Sequence, residues 1–351
     1  MTASDGTIEV REAHRFDAAR LSSWLATHVE GFTGPATVRQ FSGGQSNPTY
    51  LVATPTQICV LRRKPPGVTL PSAHAIDREF KVMAALGNAG FPVPRMLALC
   101  EDADVIGTPF YLMERIEGRV FWDPALPDVP LPERRAFHEA MIGTLAKLHS
   151  LDVAALGLSS FGKAGSYFGR QIARWSRQYQ TDNEAGRVPD MDALLAWLPE
   201  HLPPGDLTAV VHGDYRMDNL IFAPGGPQVA AVIDWELSTL GHPLADFTNL
   251  LLMYRFPQTL MKSLAGLNPQ AQGVPTEAEA VAIYCAASGR EPLGDLNFYH
   301  AYNLFRFAAI CHGIRGRILR GNAVSAAAER YSRHVEPLAA LAVAHARAAG
   351  M

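Results

Sequence analysis

The sequence predicts an α+β protein in two parts: a small N-terminal lobe built on an antiparallel sheet, and a larger, mainly helical C-terminal lobe. Three observations carry this expectation. The chain has 351 residues, more than one small core ordinarily organises. Short β-like runs joined by tight turns crowd its first third, and helical periodicity dominates the remainder. Between them an apolar strand, Phe110-Tyr111-Leu112-Met113, gives way to the linker Glu114-Arg115-Ile116-Glu117-Gly118. The expected boundary therefore separates residues 1–115 from residues 116–351.

Composition narrows the classes. Hydrophobic residues are 48% and charged residues 19%, enough apolar material for a large core. A formal net charge of -3 offers no electrostatic reason for a nucleic-acid partner. Cys59, Cys100, Cys285 and Cys311 are too far apart for a metal-ligand spacing and read as small buried apolar residues of a reducing compartment. Residues 1–16 contain no apolar run of the signal-peptide kind. No stretch approaches the roughly 20 apolar residues of a membrane span, so a soluble cytoplasmic protein without membrane partners is expected.

The elements follow in order. Residues 16–30 read as a short amphipathic helix with Leu21, Trp24, Leu25 and Val29 on one side. Val38–Phe41 and Thr49–Val52 flank the small-residue loop Ser42-Gly43-Gly44-Gln45-Ser46-Asn47, a hairpin pattern. That loop is either an ordinary turn rich in Gly, Ser and Asn or a cradle whose backbone N–H groups meet phosphate oxygens. Ile58–Lys64 is the next strand, and alternation puts Arg62 and Lys64 on one face and Arg63 on the other. A helix is expected from Pro71-Ser72, with Ile76, Phe80, Met83 and Leu86 on one face and Glu79 beside it; Gly90–Pro94 ends it. Pro132-Glu133 opens a helix to about His149, buried through Phe137, Met141, Leu145 and Leu148. Trp175 and Tyr179 have helical spacing, and Met191 to Leu202 is expected to be helical.

The chemistry concentrates in His212-Gly213-Asp214-Tyr215-Arg216-Met217-Asp218-Asn219, between Ala209-Val210-Val211 and the run Val229–Asp234. An Asp five residues before an Asn, with a second Asp ending the next β-like run, is the constellation of phosphoryl transfer. The first Asp orients the attacking hydroxyl and accepts its proton, and the Asn and second Asp hold magnesium. Asp214 is thus the candidate base, and Asn219 and Asp234 the candidate Mg²⁺ ligands. Arg216 either neutralises phosphate charge or is solvated, and Glu236 either assists the metal or faces the substrate.

The H-x-D-x-x-x-x-N pattern resembles the kinase catalytic loop. With Gly213 where protein kinases carry Arg, it resembles the aminoglycoside phosphotransferase and choline kinase branch of that fold. Ile233-Asp234-Trp235-Glu236 and Gly241-His242-Pro243-Leu244-Ala245-Asp246-Phe247 strengthen the likeness. The resemblance implies a two-lobed protein-kinase-like fold using ATP and Mg²⁺. It puts the strand cation that holds the phosphates on Arg62, with Lys64 as alternative, and pairs that cation with Glu79. It puts adenine contacts at Glu114 and Ile116, with Met113 lining the pocket. It gives His212 a bracing role and assigns Asp246 to the backbone of the catalytic loop. His242 stands where the family often has Asp.

Only eleven residues separate Asp234 from Asp246, too few for a long activation segment, so the expected acceptor is a small molecule. From Leu250 onward there are ten Arg plus Lys against six Asp plus Glu, and no acid lies between Asp295 and Glu329. Arg306 and Arg317 share a helical face there. Either this face meets an anionic acceptor or it is a solvated arginine face. The phrases Phe41–Asn47, Leu61–Gly67 and Gly241-His242-Pro243 resemble kinase domains associated with acyl-CoA dehydrogenases, which implies a hydroxyacyl-CoA acceptor. An aminoglycoside kinase and a catalytically silent nucleotide-binding module are the competing expectations.

Overall fold

A computed structural model describes residues 6–42, 47–66, 75–321 and 325–351. The N-terminal part is a six-stranded antiparallel sheet. Its strands are β1 (Thr7–Ile8), β2 (Thr37–Phe41), β3 (Thr49–Ala53), β4 (Ile58–Arg63), β5 (Met96–Cys100) and β6 (Phe110–Glu114), in the order β1-β2-β3-β4-β6-β5. The expected hairpin is present, with Val38 opposite Val52 and Gln40 opposite Tyr50. Helix α1 (Ala18–His28) starts at Asp17, whose carboxylate accepts from the N–H groups of Ala19 and Arg20.

Each face of the sheet is covered by a helix. Leu21 and Leu25 of α1 pack with Tyr50, Val52, Cys59, Leu61, Phe110 and Leu112 on one side. Helix α2 (Ile76–Asn88) lies on the other and sends Ile76, Val82, Met83 and Leu86 into the core that also underlies the catalytic loop. The expected start at Pro71-Ser72 lies outside the described residues; the described helix begins at Ile76.

The C-terminal part contains α3 (Arg134–Ser150), α4 (Tyr167–Thr181) and α5 (Pro189–Glu200). Four short strands then frame the loop: β7 (Ala209–Val211), β8 (Leu220–Phe222), β9 (Val229–Val232) and β10 (Thr239–Gly241). The two β-like runs seen in the sequence do not pair with each other. β7 pairs with β10, and β8 with β9, so two separate ribbons hold the two ends of the loop. Helices α6 (Pro243–Leu251), α7 (Glu277–Ser288), α8 (Asn297–Leu319), α9 (Ala326–Ser332) and α10 (Val335–Ala348) complete the lobe. The alanine-rich end is a core element: Val335, Leu338, Ala339, Ala342 and Ala346 are buried, and small side chains let α10 lie close along α8. Along α8, Leu304, Ala308 and Cys311 are buried. All four cysteines are free and buried. No helix among the described residues is long and apolar enough to cross a membrane.

Candidate active site

The loop between β7 and β8 is held from behind by Asp246, on the first turn of α6. Its carboxylate accepts hydrogen bonds from the backbone N–H of His212 (2.5 Å) and of Gly213 (2.8 Å). His149 of α3 adds its Nε2 at 3.6 Å from the same carboxylate. These partners hold the Asp246 carboxyl below its ordinary range even though burial pushes it the other way. His212 braces the loop through both ring nitrogens: Nε2 donates to the Ile233 carbonyl (2.9 Å), and Nδ1 accepts from the Asp214 N–H (3.2 Å). This fixes the tautomer with the proton on Nε2 and ties the loop to the residue preceding Asp234. The Tyr215 hydroxyl donates to the Met141 carbonyl of α3 (2.8 Å), which ties the loop to that helix.

Gly213 is required by its backbone. Its φ is +87°, and a Cβ there would lie 2.6 Å from the Leu237 carbonyl oxygen. The arginine that protein kinases carry at this position does not fit this loop.

Asp214 and Asn219 are brought together. The Asn219 amide donates to the Asp214 carbonyl (2.8 Å) and lies 3.4 Å from its carboxylate, leaving Oδ1 as the oxygen donor suited to a hard cation. Asp234 follows β9 in a left-handed conformation (φ 66°), and its carboxylate lies 2.6 Å from Arg62. Arg216 is half-buried and bridges Asp214 (3.1 Å) and Asp218 (3.1 Å), so it is not a solvated cation.

The N-terminal sheet supplies the opposing charge. Arg62 points toward α2, and Arg63 turns to the other face to donate to the Tyr50 hydroxyl and the carbonyls of Ile106 and His14. The Arg62 guanidinium lies 3.0 Å from Glu79, 2.6 Å from Asp234 and 3.5 Å from Glu236, joining the two lobes. Between the two alternatives, Arg62 rather than Lys64 pairs with Glu79. Burial pushes the Glu79 carboxyl up to about 7, against the opposing pull of Arg62. Two further donors reach it: Asn47 Nδ2 (2.9 Å) and the Tyr111 hydroxyl (3.0 Å). Arg62→Ala is predicted to destabilise the protein by roughly 3–5 kcal/mol, because it strands a buried carboxylate. Urea unfolding measures this, and an unchanged midpoint would remove Arg62 from the structural frame.

The remaining sequence-predicted residues fall as follows. Gly43, Gly44, Gln45 and Ser46 lie outside the described residues. Ser42 is exposed, and its N–H and hydroxyl both donate to the Gly6 carbonyl at the sheet edge. Asn47 is fully buried and its amide is turned toward Glu79. Met113 is half-buried against the shared core. The Glu114 N–H donates to the Arg95 carbonyl, so an adenine contact at Glu114 falls to its carbonyl oxygen. Ile116 is half-buried two residues past the strand. His242 caps α6 through Nδ1, which accepts from the Leu244 N–H, and stacks on Tyr299; burial pushes it down to about 4, so it is neutral near pH 7.

The arginine face of α8 is reduced by its partners. Arg306 donates to the Gly213 carbonyl (2.6 Å) and faces the Trp175 ring, so its charge steadies the catalytic loop. Arg315 pairs with Glu336 and Arg320 with Asp182. Arg317 is exposed in a cleft with Trp175, Leu237 and Gly313 and makes no ion pair among the described residues. Strand alternation places Tyr111 on the Met113 face, and only the fold puts its hydroxyl on Glu79.

This fold and this loop define a two-lobed kinase-like phosphotransferase. The family model described as "Phosphotransferase enzyme family" matches residues 37–293, and the chain belongs to that family. It is 45% identical to a crystal structure from Ralstonia eutropha classed with the aminoglycoside phosphotransferases, with a TM-score of 0.87 over 95% of this chain and 99% of that one. It is 46% identical over 324 residues to mouse acyl-CoA dehydrogenase family member 10, covering 92% of this chain and 30% of the relative. To rat acyl-CoA dehydrogenase family member 11 it is 43% identical over 346 residues, covering 97% of this chain and 44% of the relative. The chain thus spans less than half the length of these curated relatives. Family membership makes it a small-molecule phosphotransferase dependent on ATP and magnesium.

The donor set fits magnesium. Asn219 and Asp234 offer hard oxygens, and Mg²⁺ ordinarily takes one or two protein ligands and fills its octahedron with water and substrate phosphates.

Proposed function

We propose that this protein transfers the γ-phosphoryl group of ATP to a hydroxyl of a hydroxyacyl-CoA or a related anionic hydroxy compound. The observation that carries the phosphotransfer is the convergence of Asp214, Asn219 and Asp234 with the Arg62–Glu79 pair. Asp214 orients the acceptor hydroxyl and takes its proton as the new P–O bond forms. The bond between the γ-phosphorus and the bridging oxygen breaks, and ADP leaves with that electron pair. Bound magnesium offsets charge on the phosphates, held by Asn219 and Asp234. Arg62 holds the α- and β-phosphates, and Glu79 orients Arg62. The rest of the rate comes from positioning and charge stabilisation.

The acceptor class is supported by two facts. The relatives that share 43–46% identity are named acyl-CoA dehydrogenase family members. In addition, Arg317 presents an exposed charge, without an ion pair among the described residues, in a cleft that Leu237 also lines. An aminoglycoside is polycationic and is poorly matched to such a surface.

The test is acceptor-dependent ADP release with Mg·ATP, over a panel of hydroxyacyl-CoA thioesters, free hydroxy acids, choline, homoserine and aminoglycosides. Turnover is expected on the anionic thioester. Turnover on aminoglycosides alone would overturn the acceptor, and Mg·ATP binding without turnover on any acceptor would favour a silent nucleotide-binding module.

A further inference from the structure

Beside the catalytic loop, the C-terminal lobe contains a cavity of about 410 Å³, within the range of small-molecule sites. It touches the loop itself through Arg216, Met217 and Asp218, and Arg216 is the residue bound to Asp214. Its wall is apolar: Leu250, Met253, Phe256, Leu260 and Met261 line it.

Two features set it apart from a packing defect. First, Lys262 and Arg330 stand at the exposed rim, and neither makes an ion pair among the described residues. Second, Trp122 is 73% exposed at the same rim, on the linker that leaves the N-terminal lobe. Among the described residues, the one acid lining the cavity is Asp218, which pairs with Arg216, a cation it shares with Asp214. More uncommitted positive charge thus surrounds this opening than remains on α8, where Arg306, Arg315 and Arg320 are taken.

We infer that this cavity is the acceptor subsite: it takes the acyl chain of an anionic hydroxyacyl compound, and Lys262 and Arg330 meet its anionic portion. This rests on the acceptor class proposed above and locates it on the Arg216 side of the loop. Arg216 lines the cavity and lies 3.1 Å from the Asp214 carboxylate, which puts the cavity beside the base. The same chemistry is offered by a free hydroxy acid and by a coenzyme A thioester, and the thioester adds phosphates for the rim cations.

Calorimetric binding of a medium-chain acyl-CoA lacking the hydroxyl, and of the corresponding free acid, separates these possibilities without turnover. The parent protein is expected to bind the thioester. Met261→Trp, which fills the cavity mouth, and the double variant Lys262→Glu/Arg330→Glu are each expected to weaken it by about tenfold or more, equal to about 1.4 kcal/mol. Mg·ATP affinity should stay constant throughout. Equal affinity for the free acid would make the chain and its carboxylate the recognised unit and exclude a contribution from the coenzyme phosphates. No acyl binding by the parent, or unchanged binding in the rim and cavity variants, would overturn the subsite. Turnover of hydroxyacyl-CoA insensitive to those variants would overturn the subsite and keep the proposed function. Cavity-dependent acyl binding with phosphorylation of some other acceptor class would overturn both the proposed acceptor and the cavity's role as its subsite.

Discussion

Asp214→Asn is expected to cut acceptor-dependent turnover by about 10²–10⁴-fold, the usual contribution of a general base, with Mg·ATP binding retained. The substitution preserves size, and the Asn oxygen still accepts from Arg216, which lies 3.1 Å from the native carboxylate. The loop keeps its shape, because its frame is the pair of N–H bonds to Asp246 and the two His212 bonds, none of which uses the Asp214 side chain. What is lost is the proton acceptor and the negative charge that orients the hydroxyl. The acceptor KM should change less than kcat, since the group acts chiefly as the proton moves. Turnover equal to the parent's would remove Asp214 from the role of base.

Asp234→Asn should abolish the magnesium dependence of ATP binding. Asparagine is the conservative choice because Asp234 sits at φ 66°, a left-handed region that Asn tolerates and alanine does not. Folding should therefore be retained while the charge is removed. Changes to groups that merely support a metal's ligands typically cost about 10–100-fold in affinity, and loss of the ligand's own charge should exceed that. Arg62 loses its 2.6 Å ion pair to Asp234 and keeps Glu79 at 3.0 Å, so the lobe-to-lobe charge network loosens in the same variant. Measuring ATP affinity with and without Mg²⁺, in parent and variant, isolates the metal contribution. The same Mg²⁺-dependent gain in both proteins would contradict the assignment.

Much of the site was legible because its residues are close in sequence. Asp214, Asn219 and Asp234 form an ordered set between apolar runs, and each type has a chemical use. Arg62 and Glu79 were legible as a pair by resemblance, and the 3.0 Å separation bears out the pairing. Features that depend on distant partners were not legible. Asn47 reads as part of a glycine-rich turn, yet its amide is turned to Glu79, 32 residues away. The α8 arginines read as a free basic face, and only the folded chain brings Gly213, Glu336 and Asp182 to three of them. In the fold, β10 is three residues long, too short for any periodicity, though it pairs with β7 and holds one end of the loop. The alanine-rich terminus hid a core helix because alanine gives little amphipathic contrast, while its small size is what close packing on α8 requires.

The most direct measurement follows the phosphoryl group itself. The protein is incubated with Mg²⁺, ATP labelled at the γ-phosphate and a hydroxyacyl-CoA, and the label is located by mass spectrometry. The predicted result is label on the acceptor hydroxyl, stoichiometric with ADP and absent with Asp214→Asn. Label released as free phosphate, or equal labelling by the Asp214→Asn variant, would contradict phosphotransfer to this acceptor by this loop.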